Sequence, residues 1–435
     1  MIRPISCRAP LHASAVALVL VASVLLSPRA RAEEPACEAG QSLGQGACLE
    51  AVATVDALGV ARGGVRRGEA AIGQLRLALA LDLEALAALD GWRAQVSGFA
   101  IAGRQLTPTR LGSLAPASNI EATPTIRLFE LWLERGVEGI GSLRFGQLAA
   151  DAEFAGADAA SRLVNATFGW PVALATALPS GGAAYPLAAP GIRLALGDPA
   201  AGTGVRLGLF SGDPGGRYGE GTDPQRHNRH GVNFSTVGGA FLIAEAVTGG
   251  TAEAGPRPWV AKLGGWYHTR GFDAQRPDAE GNTRRYGNNQ GGYAVAEVTL
   301  LRDGAQTLAV FARGIAQPGS RNLVSLQLDA GLAWRGPFGR DDDTLSLGVS
   351  QAQIGRQARD ADRDRAAAGE ARPIRNRETV IEVNYDAAIV PGHLALRPVA
   401  QWIIGPGAGE PDGRAEAGQR LRNALVVGMR LVATY

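Results

Sequence analysis

From about residue 50 to its last residue, this 435-residue chain repeats one pattern. Segments of about ten residues alternate apolar and polar side chains, and breaks rich in Gly, Pro, Asp and Asn separate them. Alternation with period two is how a β-strand with two unlike faces reads in sequence. In 203–210, Val205, Leu207 and Leu209 oppose Arg206 and Gly208. In 126–134, Phe129, Leu131 and Leu133 oppose Glu130, Trp132 and Glu134, and in 140–148, Leu143 and Phe145 oppose Ser142, Arg144 and Gly146. In 379–386, Ile381, Val383 and Tyr385 oppose Glu382, Asn384 and Asp386. The last segment sets Leu425, Val427, Met429, Leu431 and Tyr435 against Arg430 and Thr434.

The breaks predict strands near 52–62, 71–83, 91–103, 125–135, 140–150, 190–198, 203–211, 232–247, 257–271, 290–302, 305–316, 321–336, 343–354, 376–390, 392–404 and 421–435. That is about sixteen, an even number, as single-chain outer-membrane barrels have. The stretch 81–89 (LDLEALAAL) suits a helix as well as a strand, because short apolar runs fit both periods.

Alternation alone does not say which face meets water. A soluble sandwich buries its apolar face. A membrane barrel turns that face to lipid and keeps its polar face around a wet lumen. Three features favour the barrel. The N-terminus reads as an export signal over residues 1–32, with Arg3 and Arg8 ahead of the apolar run 13–26 and a small-x-small site at Ala30-Arg31-Ala32; an uncleaved anchor is the other reading. Trp92, Trp259, Trp334, Trp402 and Tyr435 sit toward strand ends, as an interfacial girdle requires. One continuous set of strands fills residues 52–435, with no linker between domains. The expected fold is therefore an all-β transmembrane antiparallel barrel, and a soluble secreted β-protein is the alternative. Residues 33–51 form an N-terminal periplasmic segment, in which Cys37 and Cys48 are candidates for a small disulfide loop.

Composition narrows the function. The chain is 46% hydrophobic and 19% charged, which excludes a disordered chain, and its formal charge of +2 gives no footprint of a nucleic-acid binder. His227 and His230 have an H-x-x-H spacing without a third ligand, and Asp341–Asp343 reads as a solvated turn, so no metal or cofactor is expected. No catalytic residues are assigned. The run Arg359–Arg365 reads as a solvated loop. Among the long connections, 151–189 is unusual in being apolar and aromatic, with Phe154, Phe168, Trp170 and Tyr185. It is expected to fold into the lumen and narrow it.

The segments FELWLERG with GSLRFGQLAADAEFAG (129–156), NATFGWP with LPSGGAAYP (165–186), KLGGWYHTRGF (262–272), GGYAVAEVTLLR (291–302), FARGIAQPGSRN (311–322) and LDAGLAWRGPFGRDDDTLSLGVSQAQI (328–354) run in an order and spacing that resembles the carbohydrate-selective porins of Gram-negative outer membranes, the OprB type. The resemblance implies a sixteen-stranded outer-membrane porin that lets small sugars diffuse passively. A general diffusion porin for small polar solutes is the alternative. It also implies that the terminal aromatic, here Tyr435 where the family usually has Phe, is an assembly signal read by the barrel-assembly machinery. Lipids and sugars are the expected partners, and homotrimer and monomer stay equally open.

A sugar shows hydroxyls around an apolar ring face, so a selective constriction needs charged hydrogen-bonding groups beside an aromatic platform. Glu130, Trp132 and Glu134 share one inward face, and Arg144 lies on the same face of the next strand. Trp170, Arg193, Arg206, Lys262, Glu297 and Arg313 are further candidates for this constriction. Ordinary lumen ion pairs are the competing role for each of them.

Overall fold

The computed structural model describes residues 40–44, 46–216, 222–250, 257–413 and 418–435. The expected signal segment and Cys37 lie outside the described residues. Sixteen long strands dominate: β1 (Ala47–Gly64), β2 (Gly68–Asp82), β3 (Trp92–Gly103), β4 (Thr125–Val137), β5 (Gly141–Leu148), β6 (Ala189–Asp198), β7 (Thr203–Ser211), β8 (Ala240–Gly250), β9 (Trp259–His268), β10 (Asn289–Asp303), β11 (Gln306–Ala316), β12 (Val324–Arg335), β13 (Thr344–Ile354), β14 (Arg377–Val390), β15 (Leu394–Ile404) and β16 (Arg422–Thr434). Each pairs antiparallel with its sequence neighbours, and β16 returns to β1 through Leu431↔Val55 and Val427↔Gly59. The sheet closes on itself, so every strand edge is paired.

The two faces have the polarity of a membrane barrel. Outward side chains such as Leu75, Leu77, Val205, Leu207, Leu209, Val383 and Met429 are about 40% exposed or more, whereas Glu382 and Gln401 have no exposed surface. A soluble fold would reverse this. Among the described residues no helix is long and apolar enough to cross a membrane. Connections are short at one end of the barrel (138–140, 304–305, 391–393) and long at the other (104–124, 149–188, 355–376), which marks the long-loop end as external.

Local chemistry explains where the strands depart from the sequence expectation. The strand expected at 232–247 begins only at Ala240, because Phe234 (φ 43°), Gly238 (φ 86°) and Gly239 (φ 85°) hold left-handed conformations that a strand cannot contain. Within 81–89 the helical reading holds for Leu83–Ala87. The Asp82 side chain caps that turn by accepting from the amides of Glu84 and Ala85. Phe129 does not share the outward face of Leu131 and Leu133. A bulge opposite Val96–Gly98 turns it inward, where it packs on Phe99 and Tyr185. The run Arg359–Arg365 is not a loop but part of a helix, Arg356–Ala367. Asp360 pairs with Arg363 at i+3 and with Arg356 at i−4, and Asp362 is buried against Arg375.

The closed barrel gives a topological test. A cysteine at Gln95, which lines a cavity on the inner face, should react with a small polar thiol reagent in intact outer membranes. A cysteine at Leu77, 46% exposed on the outer face, should be shielded by lipid. Equal labelling at the two positions would rule out this orientation of the faces.

Candidate functional site

The connection 149–188 leaves the external end of β5 and lies against the inner wall before joining β6. Its sequence is rich in small and apolar residues, and much of it is buried: Ala150, Phe154, Ala155, Leu163, Val164, Phe168, Ala173 and Leu174 are at most 2% exposed. Its many short turns leave backbone groups without partners in a helix or sheet, and buried backbone polar groups must be paired. Inward side chains of the wall strands supply the partners. Glu245 accepts from the amide of Ala155 (2.9 Å), Glu297 from Ala159 (2.9 Å), Glu382 from Val164 and Asn165 (2.6 and 2.7 Å), and Gln327 from Ala173 (2.8 Å). Lys262 donates to the carbonyl of Gly156 (2.9 Å), and Arg397 to that of Arg162 (3.1 Å). Arg313 donates to the carbonyls of Ala155, Thr167 and Gly169 while paired with Asp329 at 2.7 Å.

A second inward connection, 104–124, is held in the same way. Ser118 donates to Asp56, Gln401 donates to the carbonyl of Ala117, and Glu378 accepts from the amides of Leu114 and Ala115. Within it, Glu121 accepts from both the amide and the hydroxyl of Thr107 (2.6 and 2.8 Å), and burial pushes its carboxyl up to about 6.

Beside the 149–188 connection, whose Ala152 and Glu153 line it, a cavity of about 1290 Å³ lies against β3–β7, and its lining includes the short turns at Gly139 and Pro199. Glu134, Arg144 and Arg193 stand in register across β4, β5 and β6. Glu134 pairs with Arg144 (2.6 Å) and Arg193 (2.6 Å). From the inward connection, Glu153 reaches Arg144 (2.9 Å), Arg193 (2.8 Å) and Arg206 (3.6 Å), and Arg206 also meets Glu245 (3.0 Å). Three guanidinium groups and three carboxylates thus alternate along one wall, and all of them except the buried Glu245 line the cavity. The guanidinium carbon of Arg144 sits 3.9 Å from the centroid of the Trp132 ring, a cation–π stack that fixes the arginine and covers that ring face.

The structure therefore sorts the residues singled out from sequence. Trp132, Glu134, Arg144, Arg193 and Arg206 come together on the cavity. Glu130 lines it too and also accepts from the amide of Ala149 (3.2 Å). Lys262, Glu297 and Arg313 lie elsewhere on the wall and grip the inward segment. Trp170 is within that segment, its indole donating to the carbonyl of Gly181. Glu153 and Glu245 were not singled out. Glu245 shares its face with Phe241, Ile243 and Val247, so strand alternation gives no polar signal there, and Glu153 lies on no strand at all. Among the described residues no cluster of His, Cys, Asp or Glu has the grouping of a metal site.

An apolar exterior, a charged interior and a lumen narrowed by inward connections define a diffusion channel of the outer membrane. The chain belongs to the carbohydrate-selective porins of the OprB family, whose model matches residues 66–435. The fold agrees. The high-pH structure of Pseudomonas putida OprB is similar at a TM-score of 0.77 and 20% identity, over 90% of this chain and 94% of that one. The low-pH structure of the same protein is similar at a TM-score of 0.54 and 15% identity, over 90% and 93%. A comparison with curated protein sequences finds no match. The protein is an outer-membrane porin of a Gram-negative bacterium that lets carbohydrates diffuse passively.

Proposed function

We propose that sugars cross through the cavity beside the inward segment, with Arg144, Arg193, Arg206, Glu134 and Glu153 as the groups their hydroxyls meet. The observation that carries this reading is the row of alternating guanidinium and carboxylate groups at the narrowed lumen. Charge-assisted hydrogen bonds from such a row replace the water a sugar sheds, and the balanced signs favour a neutral solute over either ion. Trp132 acts by holding Arg144 over its ring and by presenting an apolar edge to the passage.

Trp132→Ala should free Arg144 and widen the passage. In planar bilayers ion conductance should rise, and sugar block of that conductance should weaken several-fold, as expected for a contact worth ~1 kcal/mol. Changed conductance with sugar block at the wild-type level would move the sugar contacts elsewhere. Liposome swelling with sugars, amino acids and ions then separates sugar preference from unselective diffusion.

The same proposal extends to assembly. Export through a signal segment cleaved after Ala32 precedes insertion by the barrel-assembly machinery. Tyr435, 68% exposed, exchanges backbone hydrogen bonds with Ala51 at the closing seam (2.9 and 3.2 Å), which suits a terminal signal read as the barrel closes. Cys48 is disulfide-bonded, and Cys37 is its proposed partner.

A further inference from the structure

The external rim is unevenly charged. On one side, Arg270, Arg276, Arg285 and Arg375 are each paired with a carboxylate. Around the β1–β2 turn the pattern differs. Arg62, Arg66, Arg67, Arg104, Arg110 and Arg422 crowd together there, and none forms an ion pair among the described residues. Arg422 is in register with Gly64, and the amide of Arg104 donates to the carbonyl of Ala71. The amide of Arg66 donates to the carbonyl of Arg110 (2.9 Å). Carbonyls, not carboxylates, position two of the guanidinium groups: Arg66 Nε donates to Thr109 O (3.1 Å) and an Arg110 terminal nitrogen donates to Arg67 O (3.2 Å). Five of the six side chains belong to exposed residues, and Arg110 is half-buried. A group of exposed arginines without paired carboxylates attracts anions.

Directly below, the lipid-facing side of β1–β3 changes character. Ala57 and Gly59 on β1, Ala71 and Gly73 on β2 and Ala102 on β3 point outward, making a shallow strip of small residues whose upper edge carries Glu69, opposite Gly59. Larger outward side chains flank it: Val427 and Met429 on β16, and Ile126, 75% exposed, on β4. Leu75 and Leu77 close it toward the bilayer middle. A cluster of six arginines, with the single carboxylate of Glu69 beside it, above an apolar strip matches one kind of molecule at this depth: a lipid with phosphates at the external surface and acyl chains beneath them.

We propose that this patch is a binding site for a phosphorylated glycolipid of the outer leaflet. The guanidinium groups of Arg62, Arg66, Arg67, Arg104, Arg110 and Arg422 take its phosphates, and the β1–β3 trough takes its acyl chains. Charge complementarity decides for this occupant over a second copy of the chain, since two identical cationic patches would repel.

The test uses the full-length porin in mild detergent, with bis-phosphorylated lipid A as the probe and its dephosphorylated form as the control, read by native mass spectrometry. Wild type should retain lipid A and discriminate against the dephosphorylated form. The combined variant Arg62→Gln, Arg67→Gln and Arg104→Gln removes three side chains that bond nothing in the fold. Each charge is worth about fivefold near an anionic surface, so retention should fall at least tenfold. Heat-modifiable mobility checks that the barrel is folded. Ala57→Leu with Ala71→Leu fills the trough and should weaken lipid A binding while leaving binding of inorganic phosphate unchanged. Equal retention of both lipid A forms, or unchanged retention by the triple variant, overturns the proposal. So does conversion of an oligomer to monomers by the trough variant with lipid A retention intact, which would make this face a subunit contact.

Discussion

Arg313→Ala should turn the channel into a wide, poorly selective pore. Arg313 is the most heavily used tie between wall and inward segment: it pairs with Asp329 and donates to three carbonyls of that segment, and neither side chain of the pair has exposed surface. Truncation leaves Asp329 buried without its countercharge, a loss of about 3–5 kcal/mol when one partner of a buried pair is removed. It also leaves the buried carbonyls of Ala155 and Thr167 without this partner. The barrel, closed by sixteen paired strands, survives; the 149–188 segment gives way. Single-channel conductance should increase several-fold, sugar block should vanish, and heat-modifiable mobility should stay normal. A variant with wild-type conductance would show that the remaining ties hold the segment without Arg313. Arg313→Lys keeps the charge but loses the planar fork, so it should fall between the two.

Opposite substitutions in the row of charges should move ion selectivity in opposite directions. Arg144, Arg193 and Arg206 balance Glu134, Glu153 and Glu245 in the wild type. Glu153→Gln removes the carboxylate that touches all three arginines and makes the passage more positive than in the wild type, so reversal potentials in a salt gradient should shift toward anions. Arg144→Ala should shift them toward cations and weaken sugar block, because it deletes both a lumen charge and the group stacked on Trp132. Both shifts should shrink at high ionic strength as the charges are screened. If both variants moved selectivity the same way, or not at all, the row would not line the conducting path.

Much of this architecture is legible in the sequence. Strand number and most strand positions followed from period-two alternation, because lipid on one side and water on the other impose it along each strand. The readings failed where a third environment intervened. At 232–247 the apolar residues Val232 and Phe234 looked like a strand, yet they belong to a loop, and the true inner face of β8 carries Phe241 and Ile243 because it packs on the inward segment instead of water. Phe129 was misassigned for a related reason, since a bulge shifts the phase by one residue and leaves no mark in composition. At the candidate site, sequence found the wall residues Glu134, Arg144, Arg193 and Arg206 by their shared face. It did not separate them from Lys262, Glu297 and Arg313, which point inward equally but spend their hydrogen bonds on backbone. That distinction depends on where a forty-residue connection lies, and strand periodicity is silent about it. Glu153 was missed on the same account.

The ties to 149–188 come from β4, β8, β9, β10, β11, β12, β14 and β15, so they radiate from the central segment to most of the circumference. A hollow cylinder of strands is easily flattened, because shearing it into an ellipse breaks few bonds. Spokes running to a packed hub resist that ovalisation, since flattening along any diameter must stretch some of them. The segment that narrows the bore therefore also braces it, and lateral pressure from the surrounding membrane reaches the passage as almost no change in its cross-section.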